Sequence, residues 1–273
     1  MSSHDVSGRP EAPGASRAVG THDPPSRPRR LARAAVYSLL VATVLFGVGF
    51  LVRSQWHPLQ SVDDELIDRA TALTREYPAL RDFLVFWQEL TQPYKLYVVG
   101  TLLCLWVWLA KGLRTRAWWA FGTMMLAWMI GLGAKYLFQR ARPIIEDPLS
   151  EAPGYSFPSG HALNTAAWAT TVVILLWPLL RPLWARVVAV GLAVVVIVVT
   201  ALDRVLLGVH YPSDVSVGVA TGVGLALASY AGYVGWNPPH PEDAHDPDLD
   251  GDDHPAAREH PGDRHSTTHP QET

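Results

Sequence analysis

The sequence predicts an all-α protein: a six-transmembrane helical bundle, with an extracytoplasmic amphipathic helical segment between spans one and two. Three observations lead there. Of 273 residues, 49% are hydrophobic and 17% charged. The apolar residues gather into runs close to the ~20 residues that cross a bilayer as a helix. The charged residues fall mostly in the tails and in the short stretches between runs, so the net charge of -3 says little. A soluble globular domain is excluded by the length and number of these runs.

Residues 1–29 are rich in Ser, Pro, Gly, Arg and His and poor in large apolar side chains. They cannot bury enough surface to offset chain entropy, and a disordered tail is expected. Arg27, Arg29, Arg30 and Arg33 lead into the first span, 34–52. A cleaved signal peptide is the competing reading. The long basic flank and the lack of a clear small-residue cleavage site favour a retained anchor.

From 53 to 95 the pattern is mixed. Val62, Leu66, Ala70 and Leu73 recur at helical spacing, with Asp63, Asp64, Glu65, Asp68 and Arg69 between them. One or two amphipathic helices are expected, lying on the membrane surface or capping the bundle, with Trp56 and Trp87 as interfacial anchors. The remaining spans are expected at 93–110, 117–138, 161–180, 186–202 and 212–235. Cys104 lies inside the second as the single cysteine, so no intrachain disulfide can form and a packing role is expected. Gly218 and Gly222 in the sixth form a G-x-x-x-G, which permits close helix approach. The six-span domain expected from this count is 30–235, with a second disordered, acidic and His-rich tail over 236–273. In that tail Asp246, Asp248, Asp250 and Gly251 imitate an EF-hand opening. Ala257 stands where the bidentate Glu is needed, so a solvated tail is the better reading.

Six spans place both tails on one side. Positive residues cluster before span one and in the loops after spans two (Lys111, Arg114, Arg116) and four (Arg181, Arg186). By the positive-inside rule those loops and both termini are cytoplasmic, in a multi-pass protein of the cell membrane. Three polar clusters then share the opposite side. The first is Lys135-x6-Arg142-Pro143. The second is Pro158-Ser159-Gly160-His161. The third is Arg204-x5-His210-x3-Asp214. Charged groups at membrane boundaries are costly and point to function.

Each cluster has a chemistry. If span three stays helical to Arg142, two turns bring Lys135 and Arg142 to one face, where an ammonium and a guanidinium suit a phosphate. Arg140 between them is expected to snorkel. Pro158, Ser159 and Gly160 open a helix whose free N–H groups and hydroxyl can hold an anion, with His161 in the first turn as a proton donor. Asp214, in the first turn after Pro212, can reach back to His210 and leave its other nitrogen free to act as a nucleophile. Taken singly, each cluster also has an ordinary structural reading: a snorkelling helix end, a capped helix start, a local His–Asp hydrogen bond.

In order and spacing the three clusters together resemble the three-part pattern of the type 2 phosphatidic acid phosphatase superfamily, which also includes glucose-6-phosphatases and vanadium haloperoxidases. The resemblance covers Lys135 to Asp214, and the six spans match its membrane branch. It implies that Lys135, Arg142 and Arg204 bind phosphoryl oxygens, with Ser159 and the Gly160 N–H completing the cradle. His210 would attack phosphorus to give a phosphohistidine, Asp214 would orient it, and His161 would protonate the leaving group. No cofactor or metal is implied, because cations and a helix N-terminus supply the charge stabilisation. The implied partners are the membrane and a lipid phosphate substrate, with no nucleic acid; oligomeric state is left open. The preferred substrate is a polyprenyl diphosphate carrier, with phosphatidate or phosphatidylglycerophosphate as alternatives. A non-catalytic lipid-binding relative and a transporter are the rival classes. The intact clusters argue against the first, and the lack of an inverted-repeat pattern against the second. One departure stands out: Asp203 precedes Arg204 where the family usually has Ser. It could pair with Arg204 or point away.

Overall fold

In the computed structural model, which describes residues 27–145, 149–150 and 153–234, all regular structure is helical. Eight helices follow in order: α1 (Arg27–Arg53), α2 (His57–Glu76), α3 (Pro78–Leu90), α4 (Pro93–Lys111), α5 (Arg114–Phe138), α6 (Gly160–Leu176), α7 (Leu183–Leu206) and α8 (Pro212–Tyr233). The boundaries follow local chemistry. Proline opens α3, α4 and α8, where its missing N–H costs nothing. Gly112, in the left-handed conformation, closes α4.

Five helices, α1, α4, α5, α7 and α8, are long and apolar enough to cross a membrane. The fourth expected span is α6. It is apolar but only 17 residues long: Pro178 has no N–H to give to the Ile174 carbonyl, which accepts from Trp177 instead, and the helix ends at Leu176 rather than at 180. It sits among α4, α5, α7 and α8, and most of its residues are buried. The protein is therefore a multi-pass helical membrane bundle with α6 at its centre. By contrast, α7 shows Val187, Leu192, Val195 and Val198 on an exposed apolar surface suited to lipid.

Helices α6 and α8 approach closely at the G-x-x-x-G. A Cβ on Gly218 would lie 2.9 Å from the Ser159 carbonyl oxygen, and one on Gly222 only 2.3 Å from that of Leu163. The packing role expected of this pair is what the backbone spacing requires.

Helix α1 already includes Arg27, ahead of the 34–52 span expected from the sequence. Its basic turn is tied down, since Arg30 Nη1 donates to the Val234 carbonyl 2.8 Å away, at the end of α8. The amphipathic segment expected on the membrane surface or over the bundle resolves into two helices, α2 and α3, and the apolar stripe of α2 faces away from the bundle. Val62, Leu66 and Leu73 are exposed, whereas Asp63, Ile67, Thr71 and Thr74 are buried. Trp56 is exposed, but Trp87 turns inward and donates from Nε1 to Thr200 Oγ1 at 3.0 Å, seating α3 on α7. The two expected terminal tails, including Asp246 to Ala257, lie outside the described residues apart from the stretch from Arg27.

Candidate functional site

The site forms where the C-terminal ends of α5 and α7 meet the N-terminal ends of α6 and α8. Helix α5 does not continue to Arg142. Gln139 adopts a left-handed conformation (φ 50°) and caps the helix one residue after Phe138. The two-turn alignment expected of Lys135 and Arg142 is therefore not how they meet. They converge on one carbonyl instead: Tyr155 O accepts Lys135 Nζ at 2.5 Å and Arg142 Nη2 at 3.3 Å. Arg142 also donates to the carbonyls of Pro153, Gly154 and Val209 at 2.7–3.0 Å. Its fork thus fastens the loop before α6 to the loop before α8.

Ser159 is the N-cap of α6 and is fully buried. Its N–H donates to the Asp214 carbonyl at 3.1 Å, which links α6 to α8. Among the described residues, the buried Ser159 Oγ and His161 Nε2 find no protein hydrogen-bond partner. Buried polar atoms of this kind call for an explanation, and a bound polar ligand supplies one. Lys135 lies over the helix start, with its Cε 3.6 Å from where a Gly160 Cβ would be. The first N–H groups of α6 are left without intrahelical acceptors by helix geometry. A cation, a hydroxyl and a helix N-terminus therefore face one place, as an anion site requires.

Arg204 ends α7 and is 1% exposed. Its carbonyl accepts the N–H groups of Val209 and His210, both at 3.2 Å. Gly208 makes the turn possible with φ 71°; a Cβ there would sit 2.0 Å from Ile145 Cδ1. The question about Asp203 has an answer: its Oδ2 pairs with Arg204, accepting from Nε at 2.7 Å and from Nη2. A second acceptor, Gln88 Oε1 on α3, takes Nη2 at 2.8 Å.

His210 is oriented from both sides. Nε2 lies 3.1 Å from Arg142 Nη1. A guanidinium only donates, so Nε2 carries the lone pair and Nδ1 the proton. Nδ1 is 3.6 Å from Asp214 Oδ2, too far for the direct hydrogen bond expected from the sequence. Ser156 closes the gap. Its Oγ lies 3.2 Å from Nδ1 and donates its own proton to Asp214 Oδ2. Burial lowers the His210 pKa to about 3, with Asp214 opposing the shift and Arg142 adding to it. The ring is therefore neutral at physiological pH.

Arg140 does not snorkel. Its side chain is buried, because two carboxylates there require it. Nη1 donates to Asp214 Oδ1 at 2.6 Å and Nη2 to Asp63 Oδ2 at 2.7 Å. Burial alone would depress its pKa, but Asp214 and Asp63 outweigh that and raise it. The sequence reading missed Arg140, Ser156, Asp63 and Gln88. Only Arg140 and Ser156 lay close enough in sequence to the clusters to have been suspected.

All eight residues named from the sequence are thus at one end of the bundle. Residues 116–237 match the model of the PAP2 superfamily. Over this segment, which is less than half of its length, the chain is similar to that superfamily. It is 38% identical over 125 residues to a decaprenylphosphoryl-5-phosphoribose phosphatase of Mycobacterium tuberculosis, a match covering 44% of this chain and 64% of that relative. It is 37% identical over 83 residues to phosphatidylglycerophosphatase B of Escherichia coli, covering 30% of this chain and 29% of the relative. Against an undecaprenyl-diphosphatase of Sulfolobus acidocaldarius it is 32% identical over 112 residues, or 39% and 50% of the two chains. The chain thus spans less than two thirds of the length of these relatives. The fold is similar to that of a transmembrane PAP2-type phosphatidylglycerolphosphate phosphatase from Bacillus subtilis, with a TM-score of 0.60 and 22% identity over 68% of this chain and 92% of that one.

Proposed function

We propose that this protein is an integral-membrane phosphatase of the PAP2 type that hydrolyses a lipid phosphate or diphosphate monoester through a phosphohistidine, without a metal. The observation that carries it is the orientation of His210. Its Nε2 lone pair faces the Arg142 guanidinium, while Nδ1–H is held through Ser156 by Asp214. An imidazole held this way is a prepared nucleophile set among phosphate-binding cations.

Nε2 attacks phosphorus as the bond to the leaving oxygen breaks. Lys135, Arg142 and Arg204 share the charge that develops on the phosphoryl oxygens, with Ser159 Oγ and the Gly160 N–H as further donors. His161, in the first turn of α6, gives its proton to the departing oxygen. It then takes a proton from the water that attacks the phosphohistidine, releasing inorganic phosphate and restoring His210.

The site's place at a bundle end suits a substrate whose tail stays in lipid while its head group enters the cradle. The basic flanks lie at the other end. Arg30 meets Val234, and Arg116 donates to the carbonyls of Ile174 and Leu175. By the positive-inside rule that end is cytoplasmic, which puts both termini inside, the α2–α3 segment outside and the site on the extracytoplasmic face of the cell membrane. The preferred substrate is a polyprenyl diphosphate carrier. It is favoured by the outward site and by two relatives whose names specify polyprenyl substrates. Phosphatidate and phosphatidylglycerophosphate are the alternatives.

The test is phosphate release by purified protein in detergent, with EDTA, from a panel of these three lipids. Release without added metal, inhibition by vanadate and its abolition by His210→Ala are expected. Undiminished turnover by His210→Ala would overturn the mechanism. A reporter fused after Gly235 should be found in the cytoplasm.

A further inference from the structure

Helices α2 and α3 lie outside the 116–237 segment, yet each sets one side chain against the site. Asp63 comes from the buried face of α2 and is 1% exposed. Its Oδ2 accepts from Arg140 Nη2 at 2.7 Å and from the Ser213 hydroxyl at 2.5 Å, and its Oδ1 accepts the Ser213 N–H at 3.0 Å. The last contact caps α8 from another helix, in the turn that carries Asp214. The Arg140 guanidinium carbon lies over the Tyr211 ring, 4.0 Å from its centre, and the group passes from Asp63 to Asp214 Oδ1. A continuous chain therefore runs from α2 to the nucleophile: Asp63, Arg140, Asp214, Ser156, His210.

On the other side, Gln88 comes from α3. Its Oε1 accepts from Arg204 Nη2 at 2.8 Å and from Ser150 Oγ at 3.0 Å. Asp203 already holds Nε and Nη2 of the same guanidinium. Two acceptors on different helices fix its plane, where one would leave it free to swing. Leu84 of α3 packs with Leu207 and Val209, and Trp87 is bonded to Thr200, so the segment is anchored beside the arginine it holds.

We propose that α2 and α3 are part of the catalytic centre, with Asp63 and Gln88 as positioning residues. Asp63 acts through Arg140 on Asp214 and so on the aim of His210. Gln88 acts through Arg204 on the grip of the phosphoryl group. This rests on the phosphatase reading. The two roles carry different kinetic marks. Loss of Asp63 disturbs the attacking group, which is felt in kcat. Loss of Gln88 disturbs a phosphate ligand, which is felt in KM and in inhibition by inorganic phosphate and vanadate.

The experiment compares the full chain with Asp63→Asn, Gln88→Ala, Arg140→Gln and the Asp63→Asn/Arg140→Gln double variant, with Asp68→Asn on the exposed face of α2 as control. Asp63→Asn should lower kcat about 10–100-fold, the range for a lost hydrogen bond to a charged group, while the phosphate inhibition constant holds. Gln88→Ala should raise that constant about tenfold with a smaller change in kcat. In the Arg140→Gln background, Asp63→Asn should cost less than it does alone, because the part of its influence that passes through Arg140 is already lost and only its hold on Ser213 remains. Should Asp63→Asn fail to fold, Asp63→Glu keeps the charge and tests the same split. Wild-type kcat in the Asp63 variants together with wild-type phosphate inhibition in Gln88→Ala would overturn the proposal while leaving the phosphatase reading intact. So would equal losses in both parameters for both residues. A wild-type protein inactive on all three lipids, or an active His210→Ala, would instead sink the phosphatase reading and this proposal with it.

Discussion

Gly222→Ala tests whether the α6–α8 contact positions the chemistry. The added Cβ would lie 2.3 Å from the Leu163 carbonyl oxygen, 2.8 Å from the Ala167 nitrogen and 2.9 Å from Ala166 Cβ. Two of these are backbone atoms in the middle of α6, so no side chain can rotate away. Ordinary contact begins near 3.4 Å, which leaves a shortfall of about 1.1 Å for the helices to absorb by parting. Overpacking of this kind costs about 1–3 kcal/mol of stability. The greater effect falls on the site. Helix α6 carries Ser159 and His161, and α8 carries Asp214. A displacement of about 1 Å between groups that must act together costs roughly 100-fold in rate, or about 2.7 kcal/mol of barrier. Phosphate release and thermal melting in detergent would be measured beside Gly191→Ala, whose Cβ meets nothing within 4 Å. The control should match wild type. A Gly222→Ala protein with wild-type kcat/KM would show that α6 and α8 can separate without moving the site, and the reasoning would fail.

Other outcomes follow from the same contacts. His210 stays neutral in the fold down to about pH 3, whereas an unfolded His protonates near 6.5. Between those values the unfolded chain binds more protons. This stability is therefore full above about 6.5 and is lost progressively as the pH falls. His210→Gln should show a shallower fall in melting temperature between pH 7 and about 4.5, and an equal fall would refute the assignment. Arg142→Lys cannot rebuild a fork that reaches four carbonyls and Nε2 of His210; kcat should drop about 10–100-fold, by the worth of a charged hydrogen bond, and near-normal turnover would count against the nucleophile's setting. Tyr97 OH bonds the Met124 carbonyl and Asn164 Oδ1, both at 2.7 Å. Tyr97→Phe should cost about 1 kcal/mol in melting experiments and leave phosphate inhibition unchanged.

Much of the site was legible in the chain. Lys135, Arg142, Ser159, Gly160, His161, Arg204, His210 and Asp214 are polar residues at the edges of apolar runs, and each lies within a few residues of a helix end. Boundaries were less legible where one residue decides them. The left-handed Gln139 stops α5 short of Arg142, although nothing in its type demands that conformation. In α2 the apolar stripe left open which face meets the bundle, and the bundle end there is polar. Arg140 and the N-terminus of α8 need a carboxylate more than they need a leucine, and Asp63 faces in.

The chain alone marks which segments can lie in a membrane and which polar residues collect at the helix ends. Both depend on local properties: the length of an apolar run, the capping chemistry of a helix start, the spacing of a few side chains. Which charges are paired follows from the packing of distant segments. Arg140 finds Asp63 from 77 residues away, Ser156 finds Asp214 from 58, and Arg204 finds Gln88 from 116. A buried charge must have a partner, but many acids in the chain could serve. Which one does depends on which helix ends are brought together, and close backbone approach at Gly218 and Gly222 sets that for α6 and α8.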